Sequence, residues 1–109
     1  MTLPGMDDHA SVVLVTGAAH GLGRAVAEQL ARQGHRVLIT ARDADAAAHT
    51  AKELGPAVTA LPALDITDPA SVRATVDGLS TDPGRLDVLV NNAAAYVDWA
   101  ETEIGRAHV

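Results

Sequence analysis

The chain has 109 residues, 48% of them hydrophobic and 20% charged, with a formal net charge of −6. That length holds one domain at most, and the apolar share suffices for a core and is too high for a mainly disordered chain. A lone Lys52 with no run of arginines excludes the basic stripe of a nucleic-acid surface, and zero cysteines exclude disulfides and thiol catalysis.

Histidines at 9, 20, 35, 49 and 108 form no i, i+4 pair, so no metal site is expected. No apolar stretch approaches the ~18 residues of a membrane span. Residues 1–10 carry Asp7, Asp8 and His9 in place of an apolar leader, which points to a flexible tail and a cytoplasmic protein without a membrane partner.

The first strand is expected over 11–16, Val-rich as a strand buried on both faces is. The glycine-containing stretch Thr16-Gly17-Ala18-Ala19-His20-Gly21-Leu22-Gly23 joins it to a helix over 22–33. Leu22, Val26 and Leu30 form the apolar stripe of that helix, and Gly34 closes it. A second strand spans 36–41. Asp43 caps an alanine-rich helix that runs to Leu54, where Gly55 and Pro56 stop it. The third strand, 57–64, has the weaker pattern, because Pro62 interrupts it and suits an edge. Asp68-Pro69 is an N-cap followed by proline at the first helical position, opening a helix whose Val72, Val76 and Leu79 share one face. The turn Asp82-Pro83-Gly84 then delivers a fourth strand over 86–90.

Right-handed strand–helix–strand crossovers arrange these strands as a parallel sheet in the order 3-2-1-4. The fold class is therefore α/β, Rossmann-like, with residues 11–109 as part of a dinucleotide-binding domain. Strand order reverses between strands one and four, so a crevice opens at their carboxyl ends. Gly17, Gly21, Gly23 and Asn91 lie on its rim. The glycines let the backbone approach a pyrophosphate closely, while the following helix aims free N–H groups and its positive dipole end at the anion. His20, Leu22 and Gly23 can each offer such an N–H, a charge-assisted bond worth roughly 1.5–3 kcal/mol. Arg42, 19 residues beyond Gly23, stands where a Rossmann unit reads the ribose. An acidic residue there would bond both hydroxyls of NAD, whereas an arginine fork pairs with a 2′-phosphate, so NADP is preferred to NAD. The neighbouring Asp43 is occupied as a helix cap.

The spacing Gly-x-x-x-Gly-x-Gly after Thr16 resembles the cofactor loop of the short-chain dehydrogenase/reductase family. Asn91-Asn92-Ala93-Ala94 resembles that family's Asn-Asn-Ala-Gly, with Ala94 in place of the usual glycine. Leu64-Asp65-Ile66-Thr67-Asp68 is a third match. The resemblance implies that Thr16, Asn91 and Ala93 belong to the cofactor region and that Asp65 meets the adenine ring, with Ile66 packed on its face. The sequences Thr-Ala-Arg-Asp and Leu-Asp-Ile-Thr-Asp look most like the NADPH-dependent carbonyl reductase branch, which implies reduction of a small ketone or aldehyde and a tendency to homo-oligomers.

In that family the proton comes from the Tyr of a Tyr-x-x-x-Lys motif, with a Ser positioning the carbonyl. Neither motif is present. Tyr96 is followed four residues later by Ala100, and Lys52 lies far upstream. No catalytic residue is assigned, therefore, and Tyr96 and Trp99 are expected to cover the loop above the crevice. Two readings follow: the cofactor half of an NADP-dependent carbonyl reductase, or a nucleotide-binding module without catalysis. In the first, strand four is left as an unpaired edge, which predicts marginal stability and association. A sugar-nucleotide epimerase would space its loop as Gly-x-x-Gly-x-x-Gly, and a methyltransferase would carry an acid in place of Arg42.

Overall fold

In the computed structural model, which describes residues 10–93, strands and helices alternate along the chain. The elements are β1 (Val12–Val15), α1 (Gly21–Arg32), β2 (Arg36–Ile39), α2 (Ala44–Leu54), β3 (Val58–Ala60), α3 (Pro69–Thr81) and β4 (Val88–Val90). All strand pairs are parallel and the sheet order is β3-β2-β1-β4, as expected. The expected tail up to residue 9, Ala94, Tyr96 and Trp99 lie outside the described residues.

Every residue of β1 is buried, because this central strand has helices over both faces. Side chains alternate across the sheet. Val13 and Val15 join Val37, Ile39 and Val58 on one face, where α1 and α2 cover them with Val26, Leu30, Ala51 and Leu54. Val12, Leu14 and Leu38 form a smaller cluster on the other face, against Leu61 and Leu79 of the α3 side.

Local signals set the helix ends. Gly34, at φ +91°, completes a Schellman turn after α1: its N–H reaches Ala31 O at 3.1 Å and that of His35 reaches Leu30 O at 3.2 Å. Asp43 accepts from the N–H groups of Asp45 and Ala46 at the start of α2, and Asp68 accepts from that of Ala70 at the start of α3.

Three expectations are corrected. The strands are shorter than their apolar runs, β3 most of all: pairing continues past Ala60 only as single bonds from Leu61 N to Ile39 O and Leu64 N to Ala41 O. Leu22 does not face the sheet. It is 72% exposed and lines the cleft at the carboxyl ends of the strands instead. Of the shared face on α3 only Leu79 reaches the core, while Val72 and Val76 are exposed. Among the described residues no helix is long and apolar enough to cross a membrane.

Candidate functional site

A cleft of about 500 Å³ opens at the carboxyl ends of β1 and β2, between the loop that precedes α1 and the start of α2. The loop backbone is shaped by Gly17 and Gly21, at φ +63° and +64°, a region that other residues enter only at a cost. Gly23 is needed for a different reason. A Cβ at this position would overlap the carbonyl oxygen of Gly17 and lie 2.5 Å from Nδ2 of Asn92. The loop after β1 and the first turn of α1 can approach this closely only through glycine.

The loop is held by polar contacts from three other segments. Thr16 N donates to Val90 O at 3.0 Å, and Ala18 N donates to Thr40 O at 3.0 Å. Asn92 Nδ2 donates to Gly17 O at 2.9 Å. The hydroxyl of Thr50, from α2, donates to Ala19 O at 2.9 Å. Thr16 itself is buried and acts as a hub: its Oγ1 accepts from Ala93 N at 2.9 Å and donates toward Asn91 Oδ1 at 3.2 Å. No buried polar side-chain atom among the described residues is left without a partner, so the cradle is internally satisfied.

The start of α1 is different. Its N-cap, His20, makes no side-chain cap, and the first turn has no acidic residue. Among the described residues the N–H groups of His20, Gly21, Leu22 and Gly23 find no acceptor. Four free donors at a helix N-terminus, at the mouth of a cleft, present a concentrated positive partial charge. Such a set of donors can meet the oxygens of an anion.

At the far wall, Arg42 is 76% exposed and places Nη2 at 4.0 Å from Asp65 Oδ2. The other carboxylate oxygen, Oδ1, accepts from the Thr67 hydroxyl at 2.6 Å and its N–H at 2.9 Å. These Thr67 bonds, with a smaller contribution from Arg42, hold the Asp65 carboxyl below its ordinary range. Asp43 also borders the cleft, yet its Oδ1 is turned into the start of α2.

Of the residues singled out from the sequence, Gly17, His20, Gly21, Leu22, Arg42 and Ala93 line the cleft. Thr16 and Gly23 lie beneath it as supports, and Asp65 touches it through Arg42. Asn91 is exposed and Ile66 half-buried, and neither lines it. Sequence reasoning missed Asn92 and Thr50, the two side chains that grip the loop. Asn92 was visible as the second Asn of its motif. Thr50 was visible as the one polar residue on the inward stripe Ala47, Thr50, Ala51, Leu54 of an alanine-rich helix.

Residues 11–107 match the family model for short chain dehydrogenases. The chain is 49% identical to a sorbitol dehydrogenase of Cereibacter sphaeroides over 83 residues, 76% of this chain and 32% of that relative. It superposes on the NADP active-site complex of Pseudomonas aeruginosa RhlG with a TM-score of 0.72 and 40% identity, covering 78% of this chain and 35% of the other. A 3-ketoacyl-(acyl-carrier-protein) reductase from Brucella melitensis complexed with NADH gives a TM-score of 0.67 and 38% identity, over 72% of this chain and 32% of the other. The chain thus spans about a third of the length of the relatives it matches. With the sheet order, the glycine loop and the Asn92 contact to Gly17 in place, the match over residues 11–107 establishes that this chain belongs to the short-chain dehydrogenase family of oxidoreductases.

Proposed function

We propose that residues 11–109 form a nicotinamide-dinucleotide-binding unit of an NADP-linked oxidoreductase that reduces a small ketone or aldehyde. The observation that carries this reading is that, among the described residues, the N–H groups of His20, Gly21, Leu22 and Gly23 have no acceptor at the mouth of a cleft whose far wall carries Arg42. The helix start would hold the pyrophosphate through these N–H groups. Arg42 and Asp65, with Ile66 beside them, would hold the ribose and adenine, and Ala93, with Asn91 beside it, would border the nicotinamide, which would supply hydride.

Arg42 favours NADP, since its guanidinium suits a 2′-phosphate and its neighbour Asp43 is committed to capping α2. Relatives complexed with NADP and with NADH both exist, so the preference rests on these two side chains. Catalysis by these residues alone is not part of the proposal, because the 109 residues contain no Tyr-x-x-x-Lys. A cytoplasmic location and homo-oligomerisation go with it as expectations.

Titration of the chain with NADPH and NADH, followed by nicotinamide fluorescence, tests the reading. NADPH should bind more tightly, no ketone should be turned over, and Arg42→Asp should shift the preference toward NADH. Binding of neither dinucleotide would refute the assignment of the cleft. Unchanged relative affinities in Arg42→Asp would refute the 2′-phosphate site.

A further inference from the structure

Hydroxyl side chains inside helices ordinarily bond back to the carbonyl four residues earlier. Two residues of α3 do so here: Thr75 Oγ1 donates to Ser71 O at 3.2 Å, and Ser80 Oγ donates to Val76 O at 3.0 Å. Thr50 of α2 does not. It is 2% exposed, and its hydroxyl crosses to Ala19 O, 31 positions away, at 2.9 Å. A buried polar group placed on the apolar stripe of a helix costs stability unless its bond is made. Thr50 sits where α2 meets the glycine loop, and its bond is made there.

The geometry of the peptide group says what the bond does. In a planar trans peptide the C=O of one residue and the N–H of the next point in opposite directions. With the Ala19 carbonyl drawn toward Thr50, the N–H of His20 is turned away from Thr50. His20 lines the cleft, and its N–H has no acceptor among the described residues. The same bond fixes the chain one residue ahead of Gly21, whose Cβ position faces open space.

We infer that Thr50 is a positioning residue for the dinucleotide, its hydroxyl locking the Ala19–His20 peptide so that the first anion-binding N–H is aimed before ligand arrives. This inference rests on the proposed function and adds a residue outside the glycine motif to it. Preorganised donors bind more tightly than donors that must be ordered on binding. Because the pyrophosphate is common to both cofactors, Thr50 acts equally on NADP and NAD, in contrast to Arg42.

The test compares two pairs that differ only in the hydroxyl, wild type against Thr50→Val and Thr50→Ser against Thr50→Ala. Dissociation constants are measured well below each variant's unfolding temperature for NADPH, NADH and adenosine 2′-monophosphate. The last ligand carries the 2′-phosphate and adenine but no 5′ phosphate. Loss of the hydroxyl should weaken NADPH and NADH by the same factor, roughly tenfold, leave adenosine 2′-monophosphate unchanged, and be avoided by Ser. Equal affinities within each pair overturn the inference. So does a matching loss for adenosine 2′-monophosphate, which would mean general loosening, and so does failure of both hydroxyl-free variants to fold, which would make Thr50 a structural residue only. Failure of wild type to bind either dinucleotide refutes the proposed function instead, and the two failures are thereby distinguished.

Discussion

The glycine-loop end of the sheet and the flank formed by β4 and α3 are built from the same kind of apolar strand residue, yet they finish differently. At the loop end Thr16, Thr40 and Thr50 are buried, and each bonds a partner distant in sequence. At the flank Val88 and Leu89 are 44% and 56% exposed, and Leu86, Val72 and Val76 are exposed beside them. Val76 and Leu86 border a shallow groove of about 250 Å³. In the register, Leu89 lies beside Leu14 and Val88 beside Val13, so these are core positions by pattern. The contrast shows that hydrophobic pattern alone does not make a residue buried; a covering element does. It also shows where the protein concentrates its directional bonds, which is around the cleft.

The largest test of this contrast compares equivalent truncations. Leu38 is 1% exposed in the middle of β2, and Leu38→Ala should lower unfolding free energy by about 2–5 kcal/mol. Leu89→Ala should change it by no more than about 0.5 kcal/mol. Urea unfolding of both variants reads the difference, and equal costs would mean that Leu89 is covered in solution.

Next come two glycines in one loop. Gly23→Ala drives a methyl group into the carbonyl of Gly17 and the amide of Asn92, and since the first is backbone it cannot step aside. A loss of about 3 kcal/mol and of measurable NADPH binding is expected. Gly21→Ala meets no atom within 4 Å and carries only the strain of positive φ, about 1 kcal/mol. Similar stabilities for the two variants would break the claim that close approach, rather than backbone conformation, makes Gly23 necessary.

This pair also shows what a sequence can reveal. The order of elements, the sheet order, the caps at Asp43 and Asp68 and the tight turn of the glycine loop were legible, because each depends on neighbours in the chain. Leu22 was misplaced because periodicity describes a helix face and not where the sheet beneath it ends. The strands came out short for a related reason: an apolar run continues past the last paired residue. Asn92 and Thr50 grip loop atoms 75 and 31 positions away, and such partners appear only once the chain has folded. The family motifs marked the cleft's residues, but not which of them form the wall and which the supports.

A smaller effect concerns Arg42 and Asp65. Their 4.0 Å pair is largely exposed, and such pairs contribute little to stability. If Arg42 binds a 2′-phosphate as proposed, the carboxylate competes with it for the guanidinium. Asp65→Asn should therefore raise the preference for NADPH over NADH by roughly two- to threefold, as measured by the ratio of the two dissociation constants. In Arg42→Ala the same change should leave the ratio where it was. A fall in the ratio would mean that Asp65 steadies Arg42 for its ligand rather than rivalling it.

The smallest effect lies at the opposite end of the sheet, where the exposed flank is fastened to the core. Asp87 Oδ2 accepts from Val12 N at 2.7 Å and from Arg85 Nε at 3.1 Å, and chiefly the first of these holds its carboxyl below the ordinary 3.8. A group depressed on folding binds fewer protons in the folded chain than in the unfolded one, so its contribution is present above the unfolded value and is lost as pH falls through the folded value. Asp65 and Glu53 are shifted in the same direction. The urea midpoint should consequently be level from about pH 7 to about pH 5 and decline below about pH 4. Asp87→Asn keeps an oxygen for Val12 but not the charge, so it should lie slightly below wild type at neutral pH and converge with it in acid. Parallel curves would mean that the Asp87 charge does not help to hold β4 against β1, and that the flank depends on strand pairing alone.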